Sequence, residues 1–153
     1  MLQKKYLTKE QALQKLRHFC GYQERAHSEV KEKLYALGIR KSEHDEIVST
    51  LIEENYLNEE RFAIAFAGGK FRVKNWGRTK IKYELKQKQV SEYCIRKALK
   101  EISEEDYIKV MTKLAKQKYE SLKGEQWMIR KKKTMDFMIG RGFEPGLVSK
   151  IIF

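Results

Sequence analysis

Between Lys70 and Lys88 the chain carries eight basic side chains, Lys70, Arg72, Lys74, Arg78, Lys80, Lys82, Lys86 and Lys88, against one acid, Glu84. Phe71, Trp76 and Tyr83 are interleaved with them. On a helix beginning near Gly77, Ile81 and Leu85 form a buried stripe, and Arg78, Lys82 and Lys86 run beside it four residues apart. Such a ridge suits a phosphate backbone, and an exposed aromatic ring suits a base face. The competing reading places Trp76 and Tyr83 in the packing and leaves the lysines as solvated charge. A second cluster, Arg130, Lys131, Lys132 and Lys133, follows Trp127. Four consecutive cations sweep around a helix and repel one another by a few tenths of a kcal/mol per neighbouring pair, which an anionic partner relieves. Arg25 and Lys31 complete the candidate binding residues, and Lys4, Lys5 and Lys9 add basic charge near the N-terminus.

Other chemistries find little support. The histidines, His18, His27 and His44, form no HExxH pattern and have no evident carboxylate partner. Asp45, Asp106 and Asp136 are too scattered for a two-metal nuclease centre. Gly68-Gly69-Lys70 lacks the spacing of a phosphate-binding loop. Cys20 and Cys94 form no CxxC pair and no zinc site, and read as reduced, partly buried thiols of a cytosolic protein. No apolar run approaches the ~20 residues that span a bilayer, and MLQKKYLTKEQ lacks the apolar stretch of a secretory signal. No cofactor, no metal, no membrane and no catalytic residue is expected.

The charge is uneven along the chain. Its net value is +12, from 33 basic and 21 acidic residues. Residues 1–56 carry ten basic side chains against nine acidic, residues 57–101 twelve against five, and residues 102–153 eleven against seven. A local excess points to a polyanion more than to general solubility.

These positions recur on a repeat. Leu34, Leu85 and Met138 are 51 and then 53 residues apart, and Ile39, Val90 and Phe143 keep the same two spacings. Each is followed by an apolar pair at spacing four: Ile47 with Leu51, Ile95 with Leu99, Val148 with Ile152. A unit of about 50 residues therefore occurs three times, and each copy predicts three helices. The helices fall near 8–23, 28–37, 42–54, 58–73, 77–88, 91–101, 103–122, 126–141 and 145–152. Thr8, Ser28, Ser42, Asn58, Ser91 and Ser103 are the expected N-caps, Pro145 a first-turn proline, and Gly38 and Gly142 left-handed C-caps. The expected fold is all-α, with three tandem three-helix repeats, 1–56, 57–101 and 102–153, in an elongated array that can curve. No segment alternates with period two, so no sheet is expected.

On these residues the chain resembles the RecX family. Arg25-Ala26-His27-Ser28 with Glu29 and Lys33-Leu34 is similar to the family's N-terminal signature. Asn55-Tyr56-Leu57-Asn58 leading to Arg61-Phe62-Ala63 resembles the link from first to second unit. Trp76-Gly77, Ile81, Glu84-Leu85 and Val90-Ser91 resemble the second-unit motif. The likeness runs over roughly residues 10–152. The family often has Gly where this chain has Asn55, Asn75 and Gln89.

The resemblance implies a cytoplasmic, non-catalytic modulator of the RecA recombinase, active in DNA repair, recombination and the SOS response. It implies binding within the groove of the RecA–DNA filament and inhibition or tuning of strand exchange and ATP hydrolysis. The implied partners are RecA, as filament and monomer, and single- and double-stranded DNA, with the protein itself a monomer. Two alternatives stand beside it: a helical DNA- or RNA-binding protein acting without RecA, and a DNA-processing enzyme.

Overall fold

The computed structural model describes residues 7–153, so Lys4 and Lys5 lie outside the described residues. Among those described there are nine α-helices and no strand. They are α1 (Lys9–Tyr22), α2 (His27–Ala36), α3 (Lys41–Glu53), α4 (Glu59–Lys74), α5 (Arg78–Gln87), α6 (Glu92–Lys100), α7 (Glu104–Ser121), α8 (Trp127–Gly140) and α9 (Pro145–Ile152). Helices α1–α3, α4–α6 and α7–α9 form three successive units.

Local chemistry sets most of the boundaries. The Thr8 hydroxyl accepts from Gln11 N at 3.1 Å while Gln11 Oε1 accepts from Thr8 N at 2.9 Å, a reciprocal capping box. Asn58, Ser91 and Ser103 cap α4, α6 and α7 as expected, and Pro145 occupies the first turn of α9. Two expected caps are not caps. Ser28 and Ser42 lie inside α2 and α3, which begin one residue or more earlier. Glu29 accepts from Ala26 N at 2.8 Å at the start of α2, and His44 Nε2 donates to the Ile39 carbonyl at 2.9 Å at the start of α3.

The second helix of every unit ends in a left-handed residue: Gly38 (φ 75), Gln89 (φ 63) and Gly142 (φ 94). Asn55 and Asn75 also have positive φ, at 63 and 55. The three positions where glycine gives way to another residue therefore keep the backbone that favours glycine. Asparagine tolerates this region, whereas a glutamine costs about 1 kcal/mol there.

The repeated apolar positions fill the interior. Leu34, Leu85 and Met138 are all fully buried, as are Ile47, Ile95 and Val148 to within 1%. Unit one has its own core, with Leu13, Leu16, Val30, Leu34, Ile47 and Leu51. Units two and three share one, in which Phe71, Ile81 and Leu85 join Tyr107, Met111, Met138 and Phe143. Ala26, from unit one, is buried in that shared core.

Neighbouring units meet by one recurring device. The start of a unit's second helix sits on the turn that closes the next unit's second helix. Gly77 N donates to the Arg141 carbonyl at 2.8 Å and Thr79 N to the Gly142 carbonyl at 2.9 Å. One junction earlier, Ser28 Oγ donates to the Lys88 carbonyl at 2.7 Å. Ser28 and Thr79 are 51 residues apart, Lys88 and Arg141 are 53, so the same two segments of the repeat meet at both junctions, through the backbone at one and a side chain at the other. A Cβ on Gly77 would overlap the Gly142 carbonyl, and one on Gly142 would overlap Lys80.

Gly77 has an ordinary φ of −79, so alanine there meets only the steric obstacle. Gly77→Ala is expected to destabilise by about 2 kcal/mol or more. Gly69→Ala, with nothing within 4 Å of its added Cβ, should be neutral or stabilise α4 by up to about 1 kcal/mol. Urea midpoints compared at unchanged slope read both.

Candidate nucleic-acid interface

Ile81 and Leu85 are buried on α5 as the spacing requires, but the ridge beside them divides. Arg78 is not an exposed ridge residue. Its Nη1 bonds Glu144 at 3.0 Å, its Nη2 bonds Glu104, and its guanidinium lies 3.8 Å over the Tyr107 ring. Tyr107 is fully buried; its hydroxyl donates to Glu144 and accepts from Arg78 N at 3.1 Å. Burial pushes the Tyr107 phenol well above its ordinary value, and the hydrogen bond to Glu144 pushes it further. Burial is the largest single influence and works against the Arg78 cation, yet the bond to Glu144 together with the charges of Glu144 and Glu104 outweighs it and holds the guanidinium more firmly charged than usual. Arg78 thus clamps unit two to unit three. Lys82 and Lys86 do project from α5, and both approach Glu92, at 3.5 and 4.0 Å. Exposed pairs of this kind contribute little and yield readily to a competing anion.

The better-formed cationic surface surrounds Trp76. Phe66, Lys70 and Lys74 follow one another at spacing four along one side of α4. The half-buried Trp76 ring meets Phe66 edge-on, with centroids 6.3 Å apart. Lys70 Nζ lies 5.0 Å and Lys80 Nζ 4.6 Å from the Trp76 ring centre. Lys88 Nζ lies 5.9 Å from Phe66 and 3.7 Å from Glu29. Arg72 leaves α4 off that stripe, with its guanidinium folded over Gly68. Among the described residues no carboxylate pairs with Lys70, Arg72, Lys74 or Lys80. Trp76 therefore combines both readings, packing against the core while holding two ammonium groups on its outer face. Lys80 belongs to this surface although its spacing set it apart from the ridge, because α5 brings it back over the ring.

The remaining candidates are spread out. Arg130 donates from Nε to the Tyr119 carbonyl at 2.6 Å and stacks 3.7 Å over that ring. Arg25 makes the same pair of contacts with Phe19, at 3.0 and 3.7 Å. Arg130 fastens α8 to α7, and Arg25 fastens the link before α2 to α1. Lys131 lies 5.2 Å from the Phe153 ring centre and Lys133 bonds Glu125 at 2.7 Å. Lys132 and Lys31 are exposed and have no ion-pair partner among the described residues. The cluster begins roughly ten helical residues, about 15 Å, from the Gly142 junction.

Among the described residues no group of His, Cys, Asp and Glu is placed to hold a metal ion. His44 is buried in a structural hydrogen bond. Burial pushes the Cys20 thiol up to about 11, the opposite of an activated nucleophile. No helix among the described residues is long and apolar enough to cross a membrane.

Comparison with known proteins adds the family. Residues 58–99 match the second three-helix domain of RecX, and residues 104–152 match its third. The regulatory protein RecX of Bacillus cytotoxicus is 28% identical over 130 residues, 85% of this chain and 48% of that protein. That of Clostridium perfringens strain 13 is 32% identical over 126 residues, 81% and 58% respectively. The chain spans about half the length of these relatives. The crystal structure of RecX from Lactobacillus salivarius superposes with a TM-score of 0.86 over 94% of both chains, at 20% identity. A second RecX crystal structure gives 0.85 over 94% of this chain and 72% of the other. At that identity the structures speak for the fold.

The clamp and the ridge predict different costs. Arg78→Ala should destabilise by about 1.5–3 kcal/mol, as hydrogen bonds to charged groups do when lost, and Lys82→Ala by no more than about 0.5. The neutral Tyr107 phenol favours the folded state, so its contribution is whole below about pH 10, where an unfolded tyrosine ionises. It falls as pH rises above that toward the folded value. The stability advantage of wild type over Tyr107→Phe should therefore shrink in urea titrations above about pH 10.

Proposed function

The chain belongs to the RecX family, and we propose that it regulates the RecA recombinase by occupying the RecA–DNA filament without catalysis of its own. The observation that carries the DNA part of this reading is the Trp76 surface. There Lys70 and Lys80 stand over an aromatic ring, with no carboxylate paired to them among the described residues. Lys82 and Lys86 on α5, and Lys132 and Lys31 on other helices, add further cationic contacts in this reading. In this reading the three units, residues 1–56, 57–101 and 102–153, touch successive subunits of the polymer. Linked weak contacts then gain about 10² or more in avidity where geometry permits simultaneous engagement. The protein works in the cytoplasm as a monomer, and its effect on RecA is inhibition.

A non-catalytic modulator acts in proportion to the surface it covers. RecA ATPase and strand-exchange rates should fall as this protein approaches stoichiometric amounts, with no time-dependent turnover. An effect complete at one molecule per many RecA subunits would contradict occupancy along the filament. The alternative, a helical nucleic-acid-binding protein acting without RecA, predicts DNA binding with unchanged RecA kinetics.

Binding to DNA itself should be largely independent of sequence, because the surface offers lysines and few side chains suited to base edges. Affinity measured by fluorescence anisotropy should fall by orders of magnitude between about 50 and 200 mM salt. Lys70→Glu with Lys80→Glu should abolish it with helicity unchanged. A salt-independent affinity would contradict a phosphate-contacting surface.

A further inference from the structure

Unit one is the least basic by count, yet it holds a cationic groove of its own. Between α1 and α2 lies an open groove of about 550 Å³ lined by Lys15, His18, Phe19, Tyr22, Arg25 and Lys33, and no carboxylate lines it. Several acids of unit one are engaged away from this groove. Glu54 takes Arg17 through two bonds of 2.7 Å, Glu46 takes Lys9, and Glu24 takes Arg61 of unit two at 2.6 Å. Among the described residues Lys15, Arg25 and Lys33 have no such partner. A balance near zero therefore conceals a groove whose charged lining is cationic alone.

The aromatic floor is also built. Arg25 lies flat on Phe19 at 3.7 Å and is fixed by its bond to the Phe19 carbonyl. Lys33 Nζ stands 5.6 Å from the same ring. Tyr22 closes one end of the groove and is 79% exposed, supporting nothing in the core. A large, rigid ring held out beside two unneutralised lysines presents a stacking face next to anion donors. Duplex DNA shows only base edges in its grooves, so among nucleic acids it is an unstacked base that offers such a ring a face to stack on.

Resting on the reading of this chain as a DNA-binding regulator, we propose that the α1–α2 groove is a single-strand subsite: Tyr22 stacks on one unpaired base while Lys15 and Lys33 hold the adjoining phosphates. It gives the chain a preference for single-stranded nucleic acid that the Trp76 surface, a phosphate binder, does not supply.

The test uses a fluorescent oligothymidylate and a duplex of equal phosphate count, with the full chain. Tyr22→Ala should weaken the single strand roughly tenfold, in line with the loss of one stacked base, and the duplex by less than about twofold. Tyr22→Phe should restore the single-strand affinity. The salt dependence should be unchanged in Tyr22→Ala and flatter by about 0.7 units per lost phosphate contact in Lys15→Ala and Lys33→Ala. A thymidine mononucleotide should compete poorly. Equal losses on both ligands, no loss on either, or equal competition by the mononucleotide would overturn the subsite. If Tyr22→Ala changes nothing while Lys70→Glu with Lys80→Glu abolishes binding, the subsite falls and the DNA-binding reading stands. If the wild-type chain binds neither ligand, both fall.

Discussion

Two backbones can hydrogen-bond to each other only if nothing stands between them, and that requirement governs the meeting of units two and three. Gly77 N and Thr79 N donate into the Arg141 and Gly142 carbonyls, and side-chain atoms at Gly77 or Gly142 would fill the gap. The contact fixes where α5 begins relative to α8. That in turn sets the Tyr107 ring beneath Arg78, with Glu144 within reach of both. Only with this junction closed do Phe71, Tyr107 and Phe143 form one aromatic stack, with centroids 5.8 and 5.4 Å apart. The orientation of α5, and so of Lys80 over Trp76, follows from the same contact.

Much of this was legible in the residue pattern. The nine helices fall within about a residue of their expected limits because apolar spacing and capping residues agree with each other at most ends. The left-handed turns were marked by Gly38 and Gly142; Gln89 occupies the same backbone region with no local sign of it, only its position in the repeat. The caps at Ser28 and Ser42 misled because a serine is equally at home one or two residues into a helix. There Ser28 found a carbonyl sixty residues away.

The binding surface was harder to read, since sequence counts charges and structure pairs them. Arg78 looked like the first member of an exposed row, but its carboxylates come from Glu104 and Glu144, in a different unit. Lys82 and Lys86 share Glu92, just beyond the turn. Conversely, the near-neutral first unit keeps a groove lined by Lys15, Arg25 and Lys33 with no carboxylate among its lining residues. No window of composition reveals that asymmetry. It emerges once α1 presents Arg17 to one side and Lys15 to the other.

The unequal joints give the molecule an internal mechanics. Units two and three share a core, backbone hydrogen bonds and the Arg78 clamp. Unit one, with its separate core, is attached by Ala26, by one hydroxyl bond and by the Arg61–Glu24 and Lys88–Glu29 pairs. Side-chain contacts of this kind bend at lower free energy than a packed interior does. The two junctions thus differ in kind: one is held by a continuous apolar interior, the other mainly by polar and ionic contacts that salt and competing charge can weaken.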